Sequence, residues 1–248
     1  MFPDISFTFS GLLLLIQLLI VSAAWIVTYR HNRRQRVPPQ NRYWSRFLFF
    51  HAMFFLILVA LHLSLETGPA LPAELLPTGY IVAHAMMFIA LAYLARLVAC
   101  FTPWLFARER LVFAVFGVLA LLATILNAAA PPQPVYNASL GLMQFDVATP
   151  VSVLIVLLTT VTYVPLGYIF LRTAWRQRGR VKRPSYLLGA GLLVLYAAGP
   201  VHNYAIGPVA YIAKDGLTMI AFVLIVLGVT ARTRGATGRD GRGGGAQD

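Results

Sequence analysis

Lys214 stands in "GPVAYIAKDG", residues 207–216, inside a long run that is otherwise apolar, and the only other lysine in the chain is Lys182. An ammonium group in such a segment is costly to leave in lipid, so it must face other helices or reach along its stem to the membrane boundary. Asp215 follows it directly. Adjacent helical positions diverge by about 100°, so the two are expected to find separate partners, with Asp146 the candidate to pair with Lys214. The other ionisable or amide groups near the same ends of apolar segments are His62 with Glu66 one turn later, His84, Asn127, Asp146, His202 and Asn203. His51 precedes His62 by three helical turns and shares its face.

Three chemistries suit this set. In the first, His62, His84, Asp146, His202, Asn203, Lys214 and Asp215 line a pocket for a small anionic or protonatable ligand, or for protons from outside, since an imidazole beside a carboxylate switches near neutral pH. Lys214 then anchors an anionic group or pairs with Asp146. In the second, His62 and His84, or His84 and His202, act as axial ligands of a b-type haem in electron transfer. In the third, His62, His84 and His202 join Asp146 or Asp215 around a catalytic metal, but nothing has the tight spacing of a ligand motif. No catalytic residue or metal ligand is therefore assigned, and an enzyme ranks last. A plainer reading applies to each group near a helix end, which can simply meet water.

The elements that position these residues follow from composition. The 248 residues are 59% hydrophobic and 11% charged, with mean hydropathy +0.74, too little polar surface for a soluble globule. Apolar stretches at about 8–29, 47–65, 77–98, 111–129, 148–171, 186–205 and 208–231 each approach the roughly 20 residues that cross a 30 Å hydrocarbon core. They are continuously apolar rather than alternating, which predicts helices as the spanning elements. The expected fold is an all-α integral membrane protein, a seven-transmembrane-helix bundle over 1–231 with a disordered Gly/Arg-rich tail at 232–248.

All but one of the 20 Lys and Arg fall in alternate connections and the tail, in runs such as "RHNRRQRVPPQNRYWSR", with Arg96, Arg108 and Arg110 between the third and fourth spans. The positive-inside rule then places the N-terminus outside and the C-terminus in the cytoplasm of a multi-pass cell-membrane protein, of the bacterial inner-membrane kind. The net charge of +12 is an orientation signal with secondary attraction to anionic headgroups, and no stacking aromatics group with the arginines as a nucleic-acid surface would require.

The outer connection "NAAAPPQPVYNASLGLMQFD" is expected to lie back on the membrane through its Leu, Met and Phe and to act as a lid, and its Asn137-Ala138-Ser139 sequon carries little weight. Seven spans with a lysine in the last resemble a microbial rhodopsin in layout. The third span has no carboxylate and the sixth no tryptophan, so no retinal role is carried over. The sequence thus predicts a receptor or sensor-type protein that signals to a cytoplasmic protein partner through its arginine-rich loops. A haem protein and a small-molecule or proton-coupled transporter are the alternatives.

Overall fold

A computed structural model describes residues 9–34, 38–66, 75–137, 142–204 and 208–237. Its helices are α1 (Phe9–Arg34), α2 (Pro39–Glu66), α3 (Leu75–Phe101), the single-turn α4 (Pro103–Phe106), α5 (Glu109–Ala129), α6 (Thr149–Arg176), α7 (Lys182–Tyr204) and α8 (Pro208–Thr237). Six of them, α1, α2, α3, α5, α6 and α8, are long and apolar enough to cross a membrane. The remaining long helix, α7, opens on Lys182 and Arg183. α8 runs through Thr237, so residues 232–237, expected in the tail, continue the last helix.

The all-α expectation is corrected in the connection between α5 and α6, which holds a pair of strands. Gln133–Asn137 (β1) and Leu142–Asp146 (β2) pair as an antiparallel hairpin, with Gln133 opposite Asp146 and Asn137 opposite Leu142. Pairing satisfies backbone groups that a proline-stopped chain cannot satisfy as helix.

Six helices close into a ring: α1 packs on α2, α2 on α3, α3 on α6, α6 on α7, α7 on α8, and α8 returns to α1. α5 stays outside this ring, resting mainly on α3, and buries only Ala120, Ala123 and Asn127. Its other side presents Leu111, Val118, Leu121 and Ile125, the side chains a lipid-facing helix needs.

Glycines bring α6, α7 and α8 together. A Cβ on Gly189 would stand 2.9 Å from the Gly167 carbonyl oxygen, and one on Gly191 would stand 2.9 Å from the Ala221 carbonyl oxygen and 3.0 Å from the Ile225 nitrogen. Small residues permit this backbone approach where lipid supplies no hydrophobic drive between helices. Threonines add polar atoms without exposing them: Thr28, Thr162 and Thr230 each donate to the carbonyl four residues back, the satisfaction a hydroxyl requires at membrane depth.

Below the cavity described next, Phe47, Leu48, Leu91, Leu94, Leu192 and Ile225 are fully buried and fill the ring toward its arginine-rich end. Gly191→Ala is expected to destabilise the bundle by about 1–3 kcal/mol through overpacking. Gly117→Ala, where a Cβ meets nothing within 4 Å, is expected to be neutral or stabilising by up to about 1 kcal/mol. Unfolding midpoints of the two variants in detergent measure the contrast.

Candidate functional site

The ring encloses a cavity of about 200 Å³ near its hairpin end, with walls from α1, α2, α3, α6, α7 and α8. His51 and His62 come from one face of α2, His84 from α3, Lys214 and Asp215 from α8, and Gln17 from α1. Each reaches the same interior because its own helix buries that face against the ring. Lys214 lies six residues into α8 and His84 nine residues into α3, depths of roughly 9 and 14 Å along their helices.

The histidines are held by their own helices. His62 Nδ1 lies 2.8 Å from the Leu58 carbonyl oxygen and His84 Nδ1 lies 3.1 Å from that of Tyr80. A carbonyl only accepts, so each Nδ1 carries the proton of its hydrogen bond. The His84 ring also lies 3.9 Å from the Tyr80 ring and meets Phe54 edge-on at 5.5 Å. His51 sits at the cavity floor among Phe47 at 4.5 Å, Phe222 at 5.4 Å and the rings of Phe54 and Phe55.

Two sequence expectations are overturned at Lys214. Its Nζ lies 3.3 Å from Asp215 Oδ1, with side-chain exposures of 19% and 9%, so the neighbouring residues are direct partners after all. Long flexible side chains bridge the angular gap that separates their Cβ atoms, and the buried setting rewards the contact. Asp146, proposed as the partner across the bundle, is exposed at the end of β2 and forms no part of the cavity wall.

Asn127 is buried on α5, also away from the cavity. His202 and Asn203 lie on α7, but their side chains, like that of Glu66, fall outside the described residues. Among the described residues no group of three His, Cys, Asp or Glu could hold a metal ion.

The hairpin reaches the cavity. Phe145 of β2 stacks on Tyr80 at 4.2 Å, and Phe145 and Val147 both line the cavity. The connection that the sequence suggested as a lid therefore lies against the cavity wall.

Several lining residues lay outside the sequence-based set: Gln17, Tyr80, Phe145, Thr159, Tyr163 and Thr218. Gln17 had a visible signal, a lone amide in "LLLLIQLLIV". Phe145 had none, because only the hairpin's docking brings it there.

A second polar cluster joins α2, α3 and α5 at the arginine-rich end. Arg96 Nη2 pairs with Glu109 Oε1 at 2.8 Å, while Tyr43 Oη donates to Oε1 at 3.2 Å and Cys100 Sγ to Oε2 at 3.0 Å. The guanidinium lies 4.3 Å from the Tyr43 ring and 5.6 Å from that of Phe113. Arg96 thus ties helices together from within α3, whereas the sequence reading treated it as an orienting charge of the connecting loop. α4 makes this geometry: Thr102 and Pro103 turn the chain so that Glu109, opening α5, returns to the end of α3.

No protein-family model matches this sequence, and no curated protein matches it. The fold and site define an α-helical, multi-pass membrane protein with a polar-lined cavity inside a helix ring.

Lys214→Met leaves the buried Asp215 carboxylate without its cation and is expected to destabilise the protein by on the order of 3 kcal/mol. Lys214→Met combined with Asp215→Leu removes both charges and is expected to recover most of that loss. Thermal unfolding of the single and double variants checks the pairing. At the other end, Glu109→Gln is expected to cost about 1–3 kcal/mol by removing a charged hydrogen-bond acceptor. Adding Arg96→Met should cost less than the two single effects combined, as a double-mutant cycle would report.

Proposed function

We propose that this protein is a membrane receptor or sensor that admits a small ligand from outside the cell into the helix-ring cavity. In this reading the bundle has seven spans, with α7 among them, its N-terminus outside and its C-terminus in the cytoplasm, so that the hairpin caps the outer mouth. The observation that carries it is the convergence of three imidazoles, a Lys–Asp pair and an amide on one otherwise apolar cavity. A mostly apolar concavity with a few converging polar groups is the common form of a small-molecule site. Ligand entry displaces or tightens the hairpin at Tyr80 and Phe145, and the response passes along the ring to the arginine-rich loops, where a cytoplasmic partner reads it.

Two features favour this reading over the alternatives. Beyond His51 buried Phe and Leu side chains fill the ring, so the cavity does not run through the bundle, a form that suits a receptor pocket without requiring the alternating access of a transporter. Its volume of about 200 Å³ lies below the roughly 300 Å³ at which pockets for drug-sized molecules begin. A space of that size favours a guest smaller than a porphyrin.

The test fills the cavity. Ala198 is buried on its wall, and Ala198→Phe is expected to occupy the space a ligand uses. Native mass spectrometry of the full chain, extracted from its host membrane, is expected to show a small-molecule adduct that the variant lacks. Absence of an adduct from both proteins, each running at its bare chain mass, would sink the proposal, and a Soret band in the absorption spectrum would replace it with the haem reading.

A further inference from the structure

The cavity's fixed charges cancel. Among the described residues its lining contains one formal cation, Lys214, and one formal anion, Asp215, and these two lie against each other at 3.3 Å. A ligand with net charge would give up its hydration on entry and meet a cation or anion that already has its partner. That desolvation is repaid only by a dedicated counter-charge. A net-neutral ligand avoids the cost.

The walls select shape. Phe54, Phe55, Tyr80, Phe145, Tyr163 and Phe222 all line the space. Aromatic rings favour offset or edge-to-face contact with another ring. About 200 Å³ is somewhat more than the roughly 150 Å³ of a dry cavity known to hold one benzene ring, which leaves room for a single ring and a small polar head.

The head has a natural partner. Gln17 is 1% exposed and its Nε2 makes no hydrogen bond, although its side chain lines the cavity. A buried amide donor left without a partner is costly, the more so in a bundle surrounded by lipid. The terminal amide torsion is soft and roughly two-fold, so rotation turns either the N–H or the carbonyl end toward a guest. The Nε2 atom is itself covered, so rotation on ligand entry is what brings a donor beside the carbonyl oxygen, a pair that a carboxamide or similar carbonyl-bearing head satisfies reciprocally. A carboxylate can only accept, and an amidinium can only donate.

We propose that the cavity binds a flat, net-neutral aromatic molecule carrying a carbonyl-type head, and that Gln17 is the residue that anchors this head. This rests on the receptor reading above and narrows its ligand from the anionic class that a lone lysine suggests to a neutral one.

The test uses three planar single-ring probes of matched size at neutral pH: benzamide, which is neutral; benzoate, an anion; and benzamidine, a cation. Each is titrated into the detergent-solubilised full chain, with calorimetry and the thermal midpoint as readouts. Benzamide is expected to bind and raise the midpoint, and the two charged probes to bind at least about tenfold more weakly, the factor that one hydrogen bond is worth.

Gln17→Met keeps the volume and removes the amide. It is expected to weaken benzamide about tenfold while leaving the ligand-free midpoint unchanged or higher, because it deletes an unsatisfied buried polar group. A purely structural glutamine would instead lower that midpoint when replaced. Tighter binding of benzoate or benzamidine than of benzamide, or unchanged benzamide affinity in the Gln17→Met variant, overturns the proposal. If all three probes are inert while Ala198→Phe still loses a native adduct, the neutral-aromatic ligand is wrong and the receptor pocket stands. If all three are inert and no adduct is found, both fall.

Discussion

Contact between α8 and α1 joins the last helix to the first, and the interior chemistry depends on that closure. In lipid a polar side chain has no water to turn to, so a helix carrying one is stable only if a neighbour covers it. The ring supplies that cover for Gln17, His51, His62, His84 and Asp215, all of which are buried. Opening it would expose Lys214 and Asp215 on one side and Gln17 on the other to hydrocarbon. Polar side chains and closed topology thus require each other.

The two ends of the bundle solve the same problem in different ways. Near the hairpin, polar groups surround a space and are covered by an aromatic contact between Phe145 and Tyr80. Near the arginine-rich end, Glu109 instead accepts from donors on Arg96, Tyr43 and Cys100, and these groups meet each other directly rather than around a space. The first arrangement leaves polar groups facing a space, and the second ties α5 to the ring. α5 needs such a tie because it buries so few side chains of its own.

Close backbone approach through Gly167, Gly189 and Gly191 draws α6, α7 and α8 together on one side of the ring. The opposite side is built on bulky aromatics such as Phe47, Trp44 and Phe50. The cavity sits between a tightly apposed glycine side and an aromatic side. This asymmetry sets aromatic rings of α2 and polar side chains of α1 and α8 around the same space.

Membrane character, the helical class and the approximate place of each long helix were legible in the sequence, because continuous apolar runs leave the backbone no other way to satisfy its hydrogen bonds in lipid. So was the interior position of Lys214, His62 and His84, since their cost in lipid is a property of the side chain alone. Partnership was not legible. Helical geometry separates Lys214 from Asp215 by about 100°, yet their flexible ends meet, while Asp146 is carried away by a hairpin whose pairing spans the turn. Arg96 read as a loop charge until the turn at Pro103 brought Glu109 back against it. Gln17 stood in plain sight among leucines, but only the ring shows that its amide meets the cavity. Burial cost is local and can be read residue by residue; who covers whom depends on distances across the bundle, and those exist only once the helices have closed.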